Sequence, residues 1–242
     1  MSVSIGIDAG SVAVKVVVLA DGRPTRWTEQ PTRPDVTSQC TALLKDMAEP
    51  DAICATGYGR GAVREADSRI SEIMANAFGA GWLEQNWPSL GEVFGSPPRP
   101  ERLSGRLRTI VDVGGQDSKI ITFDGEGMVR DFAMNDRCAA GTGRFLEVMA
   151  RVLEVDLPGL DRLCVGVERA APISSTCTVF AESEIISLLS DGVGRGQVAA
   201  GALRSVAQQV SALAARCAWE APILFDGGLS RSRALSKALE RE

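Results

Sequence analysis

Two short turns hold the residues best suited to chemistry. Ile7-Asp8-Ala9-Gly10-Ser11 and Val111-Asp112-Val113-Gly114-Gly115 each place an aspartate just ahead of a glycine. Small residues let the backbone approach a phosphate, whose oxygens main-chain N–H groups can bind. An aspartate in such a turn can hold a hydrated Mg2+. Either turn alone reads equally well as a plain hairpin. Gln116 and Asp117 follow the second turn, and a glutamine there can orient an attacking water. Lys15 interrupts an apolar run shortly after Asp8. It either faces solvent or reaches toward phosphate. Cys138 and Cys177 each stand just before a predicted helix. Amides at a helix N-terminus favour an anionic sulfur and can hydrogen-bond the sulfides of a metal cluster. Both cysteines could also be small buried residues, the reading adopted for Cys40, Cys54, Cys164 and Cys217. Two cysteines cannot complete a four-thiolate iron–sulfur site, whereas a symmetric pair of chains supplies four.

The absence of histidine removes Ser-His-Asp, Cys-His and histidine-ligated metal chemistry at once. Carboxylates, Lys, Arg, thiolates and backbone amides remain. The net charge of −5 argues against a nucleic-acid partner, which selects a basic face. With 45% apolar and 24% charged residues, the 242-residue chain can bury one large core or two of ordinary size. No apolar run approaches the ~20 residues of a membrane span. The N-terminus enters a strand without a basic, signal-like leader, so a cytoplasmic protein is expected.

The elements that must position these residues alternate between strand and helix patterns. Val3–Ile7 reads as a strand leading into the first turn. Val12–Leu19 is a second strand, and Asp21-Gly22 is a turn signal. Apolar residues at helical spacing mark a helix over Val36–Met47, and Asp51–Thr56 reads as a buried strand. A helix is expected over Ser71–Gly81. Residues 82–108 hold four prolines and three glycines and read as an irregular insertion. The pattern then restarts with strands at Thr109–Val113, Lys119–Phe123 and Met128–Ala133. Helices are expected at Arg144–Leu153, Thr178–Leu189 and Val198–Cys217. A short strand, Ile223–Phe225, enters Asp226-Gly227-Gly228, and a helix follows over Ser232–Leu239. Strand, Asp-x-Gly turn and strand thus occur twice, a weak internal duplication. The expected organisation is two α/β domains, residues 1–108 and 109–242.

Two Asp-x-Gly turns followed by a late strand into Asp226-Gly227-Gly228 resemble the two phosphate loops and the adenosine loop of the actin/Hsp70/hexokinase superfamily. The fold this implies is the duplicated, ribonuclease-H-like α/β ATPase fold, with the two turns facing each other across a nucleotide cleft. A more specific resemblance is carried by Asp112-Val113-Gly114-Gly115-Gln116-Asp117-Ser118-Lys119, by Met134 through Glu147 around Asn135-Asp136-Arg137-Cys138-Ala139-Ala140-Gly141-Thr142-Gly143, and by Cys177-Thr178-Val179-Phe180-Ala181-Glu182-Ser183-Glu184. Ala55-Thr56-Gly57-Tyr58-Gly59-Arg60 fits as well. These strings resemble the activator ATPases of 2-hydroxyacyl-CoA dehydratases and the ATPase subunits of benzoyl-CoA reductases, over nearly the whole chain.

That resemblance implies an anaerobic, ATP-hydrolysing electron activator. Asp8, Asp112 and Gln116 would act in hydrolysis. Gly10, Ser11, Lys15, Gly114, Gly115, Gly141, Thr142, Gly143, Gly227 and Gly228 would contact ATP or ADP with Mg2+. Cys138 and Cys177 would ligate one [4Fe-4S] cluster shared across a homodimer, or a pair of similar subunits. Ferredoxin or flavodoxin would be the electron donor, and an acyl-CoA dehydratase or reductase the acceptor. The sequence departs from the family in having Val12-Ala13-Val14 where hydroxyl residues are usual, and Ala75-Asn76 where a Cys-His pair is usual. A further strand and crossing helix would be expected beyond residue 242. A sugar or amino-sugar kinase of the same fold and a degenerate, non-catalytic homologue are the competing readings.

Overall fold

The computed structural model describes residues 2–47, 49–86, 105–174 and 177–242. The chain divides into two compact units, Met1–Ser104 and Gly105–Glu242.

In the first unit, β1 (Val3–Ala9) alternates so that Ile5, Ile7 and Ala9 point into the core. That period of two is what a half-buried strand requires. β2 (Ala13–Ala20) buries Val14, Val16 and Val18 in the same manner. Asp21 and Gly22, both at positive φ, turn the chain into β3 (Arg23–Pro31). Helix α1 (Val36–Lys45) follows, its first turn capped by Asp35, which accepts from Ser38 N–H at 3.0 Å. β4 (Ala52–Thr56), a 3-10 turn at Arg60–Ala62, β5 (Ser68–Arg69) and α2 (Glu72–Asn86) complete the unit. The sheet order is β3-β2-β1-β4-β5, with β1 antiparallel to β2 and parallel to β4. Cys40, Leu43 and Leu44 of α1 pack on the inward valines and isoleucines.

The second unit opens with β6 (Thr109–Val113), β7 (Ser118–Phe123) and β8 (Val129–Asn135). Four helices follow: α3 (Gly143–Val152), α4 (Leu157–Leu163), α5 (Thr178–Ser190) and α6 (Arg195–Ala214). β9 (Ile223–Asp226) and α7 (Arg233–Leu239) end it. The order is β8-β7-β6-β9, with β6 antiparallel to β7 and parallel to β9. Every residue of β7 is buried, and α6 lies against β7 and β8. Phe145, Leu146, Met149, Ile185, Val198, Leu203 and Val206 form the centre of the helical core.

Several elements differ from the sequence reading, among them the short β5, which no pattern marks. The second helix does not stop at Gly81 but continues to Asn86, so the irregular stretch expected from Trp82 begins later; residues 87–104 of it lie outside the described residues. β3 gives no sequence signal, because it is an edge strand whose residues are mostly exposed and need no apolar alternation. α4 is short and starts at a proline-containing turn, with Asp156 accepting from Gly159 N–H.

Candidate functional site

Asp8 is the penultimate residue of β1 and stands opposite Lys15 of β2 in the antiparallel register. Lys15 Nζ donates to Asp8 Oδ2 at 2.9 Å, with the lysine side chain 52% exposed. Asp8 Oδ1 is buried and has no hydrogen-bond partner among the described residues; the same is true of Thr56 Oγ1. Thr56 is the residue beside Asp8 in the parallel ladder with β4. Gly10 N–H donates to Ala13 O at 3.1 Å to close the turn, and Ser11 and Val12 are exposed at its tip.

The second turn repeats this plan. Asp112 stands opposite Lys119, and Lys119 Nζ lies 3.3 Å from Asp112 Oδ2 and 2.8 Å from Asp117 Oδ2. Here the lysine side chain is only 3% exposed. Burial pushes the Asp112 carboxyl up from its ordinary range; Lys119 opposes the rise, while Asp226 and Asp117 add to it. Gly114 N–H donates to Asp117 O at 2.9 Å, and Gln116 is exposed at the tip.

The glycine after each parallel strand completes the cradle. Gly57, at φ +91°, follows β4, and a Cβ there would lie 2.4 Å from Asp8 Oδ1. Gly227, at φ +89°, follows β9, and a Cβ there would lie 2.5 Å from Asp112 Oδ1. Left-handed backbone and contact with a carboxylate both restrict these positions to glycine. Each loop is then tied down two residues later, Gly59 N–H to Ala9 O at 2.8 Å and Leu229 N–H to Val113 O at 3.3 Å. Gly228 is exposed, with open space around it.

Gly141, Thr142 and Gly143 are buried. Thr142 Oγ1 donates to Ala139 O at 2.7 Å. The first two amides of α3 meet the second turn: Gly143 N–H donates to Gly114 O at 2.9 Å and Arg144 N–H to Gly115 O at 2.7 Å. These three residues therefore brace the turn, and their polar groups named here are engaged within the protein.

Of the six cysteines, Cys138 and Cys177 are exposed, Cys40 and Cys217 are buried, and Cys54 and Cys164 are half-buried. Burial pushes the Cys164 thiol up to about 11, with Asp161 adding to it. It also raises Cys40 and Cys217, which makes these three poor thiolate donors. Cys177 is the N-cap of α5, as expected. Cys138 is not at a helix start: α3 begins at Gly143, and Cys138 sits in the preceding loop. The glycines at 141 and 143 allow that loop to fold against the second turn before the helix can begin. Among the described residues, no group of three or more Cys, Asp or Glu side chains surrounds a single metal position.

The sequence reading singled out Lys15 but not Lys119. The signal was present, since each lysine lies seven residues after its aspartate. It also named Gly227 as a site residue but not its counterpart Gly57.

Two sheets that share an order over four strands, each with an aspartate near the end of its first strand held by a lysine and a glycine, define a chain of the actin-like ATPase fold. The chain belongs to the BadF/BadG/BcrA/BcrD ATPase family, whose sequence model matches residues 100–242. It is 41% identical over 244 residues to the uncharacterized protein YjiL of Escherichia coli (strain K12), a match covering 99% of this chain and 88% of that one. It is 40% identical over 246 residues to the activator of lactoyl-CoA dehydratase of Anaerotignum propionicum, covering 98% and 86%. Among solved structures, the activator of the 2-hydroxyisocaproyl-CoA dehydratase from Clostridium difficile with bound ADPNP matches with a TM-score of 0.83 at 36% identity, covering 99% of this chain and 85% of that one. Among the described residues, no helix is long and apolar enough to cross a membrane.

Proposed function

We propose that the chain binds ATP with Mg2+ at its two aspartate turns, hydrolyses it, and couples hydrolysis to low-potential electron transfer into a 2-hydroxyacyl-CoA dehydratase or a related reductase. The observation that carries this reading is the repeated cradle of carboxylate, lysine and positive-φ glycine at equal register positions in both sheets. A buried, partnerless Asp8 Oδ1 fits a hydrated cation, so Asp8 and Asp112 would hold Mg2+ and its waters. Gln116, exposed at the tip of the second turn, would orient the attacking water. Gly10, Ser11, Lys15, Gly114 and Gly115 would contact phosphate, and Gly227 and Gly228 the adenosine. Residues 1–108 and 109–242 would be its two domains.

Cys138 and Cys177 fit the ligand role because they alone among the six cysteines are exposed. Two such chains, identical or similar, would hold one [4Fe-4S] cluster, which supplies a single low-potential electron. Ferredoxin or flavodoxin would recharge it, and the setting would be an anaerobic cytoplasm. The activator named among the relatives acts on lactoyl-CoA dehydratase, which supports an acyl-CoA dehydratase as partner.

Iron content of anaerobically purified protein tests the reading directly. About four irons per dimer are expected. Cys138→Ala and Cys177→Ala should each abolish iron binding while ATP binding persists, and Cys40→Ala, Cys54→Ala, Cys164→Ala and Cys217→Ala should leave iron unchanged. About four irons per monomer, or iron retained in the Cys138→Ala, Cys177→Ala double variant, would sink the shared-cluster reading. ATP-dependent phosphorylation of a sugar by iron-free protein would replace it with a kinase.

A further inference from the structure

The second turn and the Cys138 loop are joined by a continuous set of hydrogen bonds. Asn135 ends β8 and lies opposite Ser118, the first residue of β7 and the neighbour of Asp117. Asn135 Nδ2 donates to Cys138 O at 2.9 Å and to Ala140 O at 2.8 Å. Its Oδ1 accepts from Cys138 N–H at 3.3 Å. One side chain therefore holds the cysteine peptide on both sides. Ser118 is buried, and its Oγ donates to Gly141 O at 2.5 Å, gripping the far end of the same loop. The loop then returns to the turn through Gly143 N–H to Gly114 O and Arg144 N–H to Gly115 O.

On its other side the loop borders an open pocket of about 310 Å³, lined by Ser118, Asn135, Cys138, Gly141, Gln209 and Arg216 among others. Cys138 is exposed beside that space, whereas Ala140 and Gly141 at the far end of the loop are buried, and a Cβ at Gly141 would lie 2.9 Å from Gln209. Hydrogen bonds from Asn135 hold the exposed Cys138 peptide next to this packed end. Cys177 belongs to a separate element, at the start of α5, where its carbonyl accepts from Ala181 N–H at 2.9 Å.

We propose that Ser118 and Asn135 are positioning residues that tie the Cys138 loop to the second turn, so that a nucleotide at the turn changes the reactivity of the Cys138 thiol and leaves that of Cys177 unchanged. The proposal rests on the reading of the turn as a nucleotide site. A ligand that shifts the Gly114 and Gly115 carbonyls shifts the start of α3 and, through Ser118 and Asn135, both ends of the loop. Coupling of this kind needs a physical two-way connection between sites, and the connection here is made of named bonds.

The test uses iron-free full-length protein, in which both thiols are open to reagent. Alkylation of Cys138 and Cys177 by iodoacetamide is followed by peptide mass spectrometry, with and without Mg-ADPNP, and ADPNP binding is measured separately by calorimetry. In wild type the Cys138 rate should change by about fivefold or more with nucleotide, the low end of ordinary coupling. The Cys177 rate should not change. Ser118→Ala, which removes one hydroxyl and keeps the β ladder, and Asn135→Ala should both bind ADPNP but lose the nucleotide dependence at Cys138. A merely structural role would alter melting temperature and both cysteines together. If wild type binds ADPNP and Cys138 labelling does not respond, or if both variants keep the full response, the inference is overturned while the nucleotide reading stands. If wild type does not bind ADPNP, the nucleotide reading fails and the inference falls with it.

Discussion

The two units share a strand order and a carboxylate cradle, but they treat the cradle differently. In the first, Lys15 pairs with Asp8 and its side chain is half in solvent. In the second, Lys119 sits between Asp112 and Asp117 and is almost fully buried. Counting from each aspartate, Ala13 occupies the place of Asp117, and Val12 the place of Gln116. The first unit inserts one helix between its third and fourth sheet strands, whereas the second inserts four, with Cys138 and Cys177 ahead of two of them. A common backbone frame has thus been given an open, adaptable ion pair on one side and a fixed, desolvated triad on the other. The fixed side is also the side whose carbonyls bond to the loop carrying Cys138.

Removing each lysine is the strongest way to break the comparison. Lys119→Met keeps the length of the side chain but removes the ammonium that Asp112 and Asp117 share. Loss of one partner from a buried pair costs about 3–5 kcal/mol. Lys15→Met removes an exposed pair and should cost less than about 1 kcal/mol. Urea unfolding without nucleotide measures both. Equal losses in the two variants would mean that the cradles are energetically equivalent despite their different burial.

A smaller effect is expected from the turn tips. Gln116→Ala should lower kcat on the order of 10²-fold with ATP binding largely intact, since the glutamine acts on the nucleophile rather than on nucleotide affinity. Val12→Ala, the matching change in the first turn, should leave kcat within about twofold, because an apolar side chain has no proton or lone pair to offer. Steady-state ATPase assays at saturating Mg-ATP decide this. Unchanged turnover in Gln116→Ala would remove that residue from the mechanism and erase the functional difference between the tips.

Much of this frame can be read from the residues alone, because β1, β2, α3 and α6 bury their apolar faces with regular period. The paired Asp-x-Gly turns and the exposed cysteines are also legible. Three things are not. β3 lies at a sheet edge and carries little apolar pattern. The docking of the Cys138 loop depends on Gly143 and Arg144 donating to the second turn, a contact between segments far apart in sequence. The contrast between Lys15 and Lys119 also escapes: their spacing from aspartate is identical, and only tertiary cover separates 52% from 3% exposure.

The subtlest expected consequence of that cover is a pH slope. Burial raises the Asp112 carboxyl above its ordinary value of 3.8, with Asp226 and Asp117 adding to the rise and Lys119 opposing it. The folded protein therefore holds this proton more tightly than the unfolded chain does. Between 3.8 and the raised folded value, this group makes stability fall as pH increases, and the full cost of ionisation is present above that window. Asp35, Glu65 and Asp124 act in the opposite sense, since hydrogen bonds to Ser38, Thr41 and Met128 lower their carboxyls, and their contribution is lost as pH falls. A wild-type profile mixes both signs, so the informative quantity is a difference. In metal-free protein, Asp112→Asn removes the group and should flatten the falling component just above pH 3.8. Lys119→Met withdraws the opposing cation and should extend that component to higher pH. Urea midpoints collected across the acid range with EDTA present would show this. A difference profile that rises with pH in that window, or one that Lys119→Met does not extend, would mean that Asp112 is not desolvated in the folded protein.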